Sequence, residues 1–562
     1  MKRVRPSSLL PLLLLLQGPF VSAQLMLYRQ LPEFALSSLF QVEVQMPGTS
    51  FQEVFTYEYS TGETGIVTQN EHFAPFAFEP TDGLLTIRVS SKNGTLLNEA
   101  NFELVNQTEP DVEHSFVNGA CVITCASARK QLLLRSPANK ANPLLLFVDP
   151  MKERPIPNGA NVVTFAASAT PYVQTAQYDR YEVPNEVDVI YIEDGAMIKG
   201  TIHTTNGRNK PLIVMGRGVI LGNGPVVNGS QGIPYNTLEL NNGNNHVLEG
   251  ITVIKSRHFA LRMSSDGRIN NVKILGYNAN NDGIVAGTQS IIENCFLKVN
   301  DDFIKLYNND MVVRNCRFYA QTNGAIFQFA WNSITPGSNC LVENCEVLDV
   351  EYGFTGDPAN GQGGIARAFI SLRETNASPV SGNNVFRNIL IQGQLKRFMG
   401  INGKYGNSQS LTLQNIKLEN ITVVNKPELQ SWVYTGNAPD IVSFEFVNVT
   451  FGGVCVDPVA DFKTEGNVVI VSNCLPTPVE DQLDRGSIRM YPNPAEKYLR
   501  VEMDQPSNQA SIQIFELSGR MIHTEALQQE QSVSVSHVPP GLYLVEVSTH
   551  TDRIRQPILF IQ

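Results

Sequence analysis

The chain has 562 residues, 42% of them hydrophobic, and a formal net charge of −11. That length exceeds one ordinary core, so two to four domains are expected, and the hydrophobic fraction fits a globular protein. Its basic residues are scattered, which argues against nucleic acid or an anionic membrane surface as partner.

Residues 1–23 read as an export signal. Lys2, Arg3 and Arg5 form a positive start, LLPLLLLL (9–16) an apolar stretch, and VSA (21–23) a small-residue cleavage site before Gln24. The apolar run is far short of the roughly 20 residues of a membrane helix, and no later run reaches that length, so no membrane-spanning segment is expected. Export permits disulfides. Cys121 with Cys125, Cys340 with Cys345 and Cys455 with Cys474 are local pairings among the eight cysteines, whose spacing is not a zinc pattern. Sequence leaves the connectivity open.

Residues 25–180 hold short alternating segments such as FQVEVQM and LTIRVSS, broken by Gly, Pro and Asn. They predict an N-terminal β-sandwich.

The middle of the chain repeats. VLEGITVIKS, RINNVKILGY, SIIENCFLKV, MVVRNCRFYA, CLVENCEVLD, NVFRNILIQG and LTLQNIKLEN align on Gly250, Asn271, Asn294, Asn315, Asn344, Asn388 and Asn415, at intervals of 21, 23, 21, 29, 44 and 27 residues. Val, Ile and Asn in period-2 patterns at this repeat length predict a solenoid of strands. The reading is an all-β chain whose middle, 186–474, is a right-handed parallel β-helix with turns stacked about 4.8 Å apart. The recurrent Asn is expected to form an amide ladder inside the solenoid. Cys295, Cys316 and Cys345, each following an anchor Asn, are expected to stack as small apolar side chains.

Within the solenoid lie YNANNDGIVAG (277–287) and LKVNDDFIKLY (297–307). Asp282 and Asp302 are one period apart, so they fall at similar positions on neighbouring turns. In a flat strand either Asp301 or Asp302 would face the apolar interior, where an unpaired carboxylate is very costly. The pair therefore sits at a bend or loop, and three carboxylates crowd one surface patch. Like charges raise one another's pKa. Such a patch suits either a hard cation or glycoside hydrolysis, in which one carboxylic acid protonates the leaving oxygen and another carboxylate activates water or attacks carbon. The residues alone do not select the acid.

NNDG followed one turn later by NDD, on a parallel β-helix, resembles the clan of polygalacturonases and dextranases. The 19-residue interval from Asp282 to Asp301, and TNGAIFQFAW (322–331) where polygalacturonases carry Gly-His-Gly, resemble glycoside hydrolase family 49, the dextranase and isopullulanase family. So do DDFIKLYNNDMVVRNCRF and an N-terminal sandwich before the solenoid. The resemblance covers about residues 25–475. It implies hydrolysis of an α-glucan such as dextran, with inversion, Asp301 as general acid, and Asp282 and Asp302 as the pair activating water. Inverting enzymes generally space acid and base about 6.5–9.5 Å apart. No cofactor and no metal are expected. Lys305 and Tyr307 follow the DD pair by strand alternation and are expected to face the groove. Gln328 and Trp331 lie about one turn on and His258 one turn before, and all three are further candidates for sugar binding, with Arg373 a remoter one. The Gly-rich insertion 353–367 is expected to reshape the cleft. The same fold acting on pullulan or a plant or algal glycan, a calcium-dependent polysaccharide lyase, and a calcium-binding adhesin are the alternatives.

LPTPVEDQLDRG (475–486) reads as a linker. Residues 487–562 predict a small C-terminal β-sandwich. Its YPNP opening, LSGRMI turn and PPGLYLVEV strand resemble the C-terminal sorting domain of the type IX secretion system of Bacteroidota. That implies delivery to the cell surface or the medium, with the secretion machinery and a polysaccharide as partners. A monomer is expected.

Overall fold

The structure is a computed structural model. It describes residues 24–560 apart from 61–69, 80–83, 106–108, 139–141, 174–179, 223–235, 277–280, 352–366, 374–379, 404–410, 436–440, 475–487, 492–496, 504–509, 517–519, 528–529, 550–552 and the single positions 110, 257, 322, 332, 333 and 540. The export signal, the linker 475–486 and nearly all of the insertion 353–367 lie outside the described residues. Every regular element described is a strand, and no described helix is long and apolar enough to cross a membrane.

The N-terminal part is a seven-stranded sheet facing a five-stranded one. Alternation builds the layer between them: Val42 and Val44 from one sheet meet Leu132, Leu134, Leu144 and Leu146 from the other. The seven-stranded sheet is buried on both faces, which explains the unbroken apolar run in Leu144–Pro150. Its outer face packs Leu133, Leu145 and Phe147 against Leu275, Phe296, Tyr319 and Leu348 of the solenoid. Buried ion pairs pin this contact. Lys273 reaches Asp149 at 2.5 Å and Lys298 reaches Glu71 at 2.7 Å. Removing one partner of such a pair would leave the other charge buried and uncompensated.

The middle of the chain is the expected parallel stack. Up to Ala320 each turn supplies two short strands to a 21-stranded sheet and one to an 11-stranded sheet; later the two fuse in long strands such as Leu341–Val350 and Thr412–Val423. The stack starts at Val162–Phe165, which pairs in parallel with Val189–Ile192, so its first strands fall inside the segment expected to be sandwich. The recurrent Asn residues correct a second expectation. Asn271, Asn294, Asn315 and Asn344 all have left-handed backbone (φ 53°, 56°, 53° and 53°); the first three form the corner between two strands, and Asn344 bends the long strand Leu341–Val350. Asn tolerates that conformation better than most residues. The corner turns its side chain outward, so Asn315 and Asn344 are exposed rather than internal. A ladder does form, on the outside: Asn388 donates to Asn344 at 3.1 Å, Asn420 to Asn388 at 3.2 Å, and Asn448 to Asn420 at 3.1 Å. Asn415 belongs to a different corner, where it donates to Asn383. The residue after each corner points inward, and there Cys295, Cys316 and Cys345 lie buried as free thiols.

Cys455 and Cys474 form a disulfide. The other two local pairings do not occur. Cys121 and Cys125 sit on one strand, Ala120–Cys125, where a rise of about 3.3 Å per residue holds them too far apart. Cys340 precedes the strand Leu341–Val350 and Cys345 lies within it, beyond the Asn344 corner, and both are buried free thiols.

The C-terminal part is a three-stranded and a four-stranded antiparallel sheet around Leu499, Val501, Ile512, Ile514, Val545 and Val547.

Candidate active site

The site lies at the edge of the 11-stranded sheet, where three consecutive strands begin: Ile284–Ala286, Ile304–Lys305 and Phe327–Trp331. Parallel register sets Ile284 beside Ile304 and Ile304 beside Phe327. Two residues upstream of the first pair, Asp282 therefore stands beside Asp302. Ile284 and Ile304 point into the core and are fully buried, so alternation sends Lys305 outward, over the bends that carry the aspartates. Asp301 and Asp302 precede their strand instead of continuing it, which keeps both out of the apolar core, but the expected surface patch is sunk: Asp282 and Asp302 are buried and Asp301 is half-buried.

The three carboxylates converge, with one oxygen of each within 4.8 Å of the others. That is closer than the 6.5–9.5 Å general for an inverting pair: Asp301 and Asp302 are consecutive, and Asp282 lies on the neighbouring turn, about 4.8 Å away in a parallel stack. Lys305 Nζ bridges two of them, at 2.6 Å from Asp282 and 2.8 Å from Asp302. It occupies the position a cation would take between these oxygens, so the patch carries its own counter-charge. Asp302 is held at its second oxygen by the Ala325 N–H, 3.0 Å away. Asp301 has neutral donors instead: the Asp302 N–H at 2.9 Å and Asn323 Nδ2 at 3.2 Å.

These surroundings separate the groups. Burial drives the Asp301 carboxyl well above the ordinary carboxylate range, and the neighbouring Asp282 and Asp302 add to it. Burial also raises Asp282, to about 7, against the opposing pull of Lys305. Burial disfavours the Lys305 charge, yet Asp282 and Asp302 hold its pKa well above the usual value. A carboxyl group pushed toward its neutral form thus stands beside two that share one ammonium group.

The structure distributes the remaining sequence candidates unevenly. Tyr307 is half-buried and its hydroxyl donates to Gln328 Oε1, which also accepts from Lys305 Nζ at 2.8 Å. Gln328 is fully buried; it braces the lysine rather than offering a surface to sugar. Trp331 is half-buried, with the Arg373 guanidinium 4.0 Å from its ring centroid, so one of its faces is already covered. His258 stacks on Phe259 at 4.1 Å. Burial, with the charges of Lys305 and Arg262, pushes its pKa down to about 4, and it is neutral at ordinary pH.

Sequence reasoning passed over Asn281, Asn323 and Gly324. Asn281 is fully buried and its Nδ2 donates to the His258 carbonyl at 2.9 Å, tying the Asp282 bend to the preceding turn. Asn323 lies one period after Asp301, a signal that the repeat offered. Gly324 lies against the Asp301–Asp302 peptide so closely that a Cβ there would come within 2.1 Å of the Asp301 carbonyl carbon. Its signal, a lone Gly in a bend, is common to many turns.

Comparison with known proteins supplies the context. Residues 489–561 match the family described as the secretion system C-terminal sorting domain, which directs export to the cell surface or the medium. An isopullulanase of Aspergillus niger is 20% identical over 340 residues, covering 52% of this chain and 59% of the relative. A dextranase of Arthrobacter globiformis is 24% identical over 203 residues, covering 30% of this chain and 31% of the relative. The matched region thus spans less than two thirds of each relative. The solved structure of Dex49A from Penicillium minioluteum superposes with a TM-score of 0.65 at 15% identity, over 79% of this chain and 96% of that chain, and shares the fold. The chain is a parallel β-helix protein with isopullulanase and dextranases among its sequence relatives, and it ends in a secretion sorting domain.

Proposed function

We propose that the protein is an exported glycoside hydrolase that cleaves α-glucan, dextran-like α-1,6 links first, with inversion. Asp301 is the general acid, and Asp282 and Asp302 activate the attacking water. One observation carries the reading: of three converging carboxylates, two share the Lys305 ammonium while the described donors to the third are neutral. The third is the group that burial and its neighbours keep protonated, as an acid that delivers a proton to a leaving oxygen must be. The other two share the Lys305 ammonium, which opposes the rise of the Asp282 pKa. Asp302 already engages both oxygens, which makes it a weaker nucleophile toward carbon and leaves it suited to orienting a water with Asp282. The dextranase relative favours dextran. The isopullulanase relative favours pullulan as the second substrate.

The short carboxylate spacing is also that of retaining enzymes, about 5–5.5 Å, so stereochemistry is the decisive test. Reducing-end release is measured on dextran, pullulan and uronate polymers, with and without chelator, together with the absorbance of unsaturated products. Hydrolysis of an α-glucan that survives chelation is expected, and NMR of the first product should show the β-anomer. First appearance of the α-anomer would make Asp282 or Asp302 a nucleophile. Unsaturated products would replace hydrolysis with elimination.

A further inference from the structure

We propose a second site, far in sequence from the aspartates: a divalent transition-metal site on the C-terminal domain, built from His523 and His537. One residue lies on a strand and the other in the turn that follows a strand of the opposite sheet. His523 lies in Met521–Leu527, an outer strand of the four-stranded sheet, and His537 follows Glu530–Ser534 of the three-stranded sheet. Their rings meet across the sandwich with centroids 4.6 Å apart, and His523 Nδ1 lies 3.1 Å from His537 Nε2. Two imidazole nitrogens at that separation, each about 2.0–2.1 Å from one ion, would subtend roughly 95–100° at it, between square and tetrahedral angles. The far nitrogen of His523 faces a carboxylate: Nε2 is 3.5 Å from Glu525 Oε2. No hydrogen bond spans that distance, but the carboxylate lies on the side where an outer partner of a metal-bound histidine would accept the Nε2–H and leave the Nδ1 lone pair to the ion.

The donor set selects the class of ion. Neutral imidazole nitrogen suits Zn²⁺, Cu²⁺ and Ni²⁺ and is a poor ligand for Ca²⁺ or Mg²⁺. His537 is exposed and His523 half-buried, so the remaining coordination positions open to solvent, and a bound ion would clip the two sheets together. Nothing in the cleavage chemistry uses these residues.

The test uses the full chain with ZnCl₂ as probe in isothermal titration calorimetry, and CuSO₄ for electron paramagnetic resonance. One ion per chain is expected, with coupling to two nitrogens in the copper spectrum. His523→Gln and His537→Gln should each weaken binding at least tenfold, and Glu525→Gln by about tenfold. Circular dichroism confirms that each variant is folded; the exposed His537→Gln serves where His523→Gln is not. Absence of saturable binding in the native chain, or unchanged binding in the double histidine variant, overturns the site.

Discussion

Gly324 gives the sharpest test of how the solenoid positions its acid. Its φ of +80° is left-handed, and a Cβ there would lie 2.1 Å from Asp301 C, 2.4 Å from Asp301 O and 2.4 Å from Asp302 N. Ordinary contact begins at 3.4 Å, so Gly324→Ala forces a shift of about 3.4 − 2.1 = 1.3 Å. The atoms that must move are peptide atoms between the proposed acid and its neighbour, not the end of a flexible side chain. A misplacement near 1 Å in a reacting constellation costs about 10² in rate, or about 2.7 kcal/mol in the barrier. The stability cost has two parts: about 1–2 kcal/mol for a left-handed Ala and about 1–3 kcal/mol for overpacking. Gly207→Ala is the control. Gly207 has φ +83° and lies in the same solenoid, but nothing is within 4 Å of its added Cβ. That variant should show the backbone cost in thermal unfolding and keep native turnover. Reducing-end release gives kcat and KM, and the loss in Gly324→Ala should fall on kcat. A folded Gly324→Ala protein within threefold of native kcat would refute the reasoning, as would an equal loss in Gly207→Ala.

Three further outcomes are expected. Lys305→Met leaves Asp282 and Asp302 without their shared cation; breaking a buried pair costs about 3–5 kcal/mol, read by denaturant unfolding, and the acid limb of the pH–activity profile should move up because Asp282, already near 7, loses its opposing charge. Asp301→Asn should lower kcat by about 10²–10⁴ and change the pH dependence of stability. Because the folded pKa of Asp301 is raised, the native protein loses stability as pH climbs from about 4, the unfolded value, through the folded one; Asn does not ionise, so the Tm gap in favour of the variant should widen with pH, and a constant gap would contradict the assignment. A chain ending at residue 486 should fold and keep its hydrolytic activity in vitro while failing to reach the cell surface, because the removed sheets have a core of their own; surface delivery of the shortened chain would remove the sorting role.

Much of this protein is written locally. Strand alternation in segments such as LTIRVSS gives the sandwich sheets, and the near-22-residue recurrence gives the parallel stack, because period-2 patterning and repeat length depend only on neighbouring residues. The spacing of Asp282 and Asp302 was legible for the same reason: one solenoid turn converts a sequence interval into a lateral contact. The tertiary structure decided what depends on direction and distance. The recurrent Asn was legible as a ladder but not as an outward one, since its side chain follows from a left-handed φ that sequence does not display. The start of the stack at Val162 was hidden because a short strand reads alike in a sandwich and in a solenoid. The chemistry turned on the same kind of fact. Three aspartates in two motifs are equivalent on paper; the proposal of Asp301 as the acid rests on Lys305 Nζ lying within 2.8 Å of the other two while the donors described at Asp301 are amides, and such distances arise only when three turns are stacked.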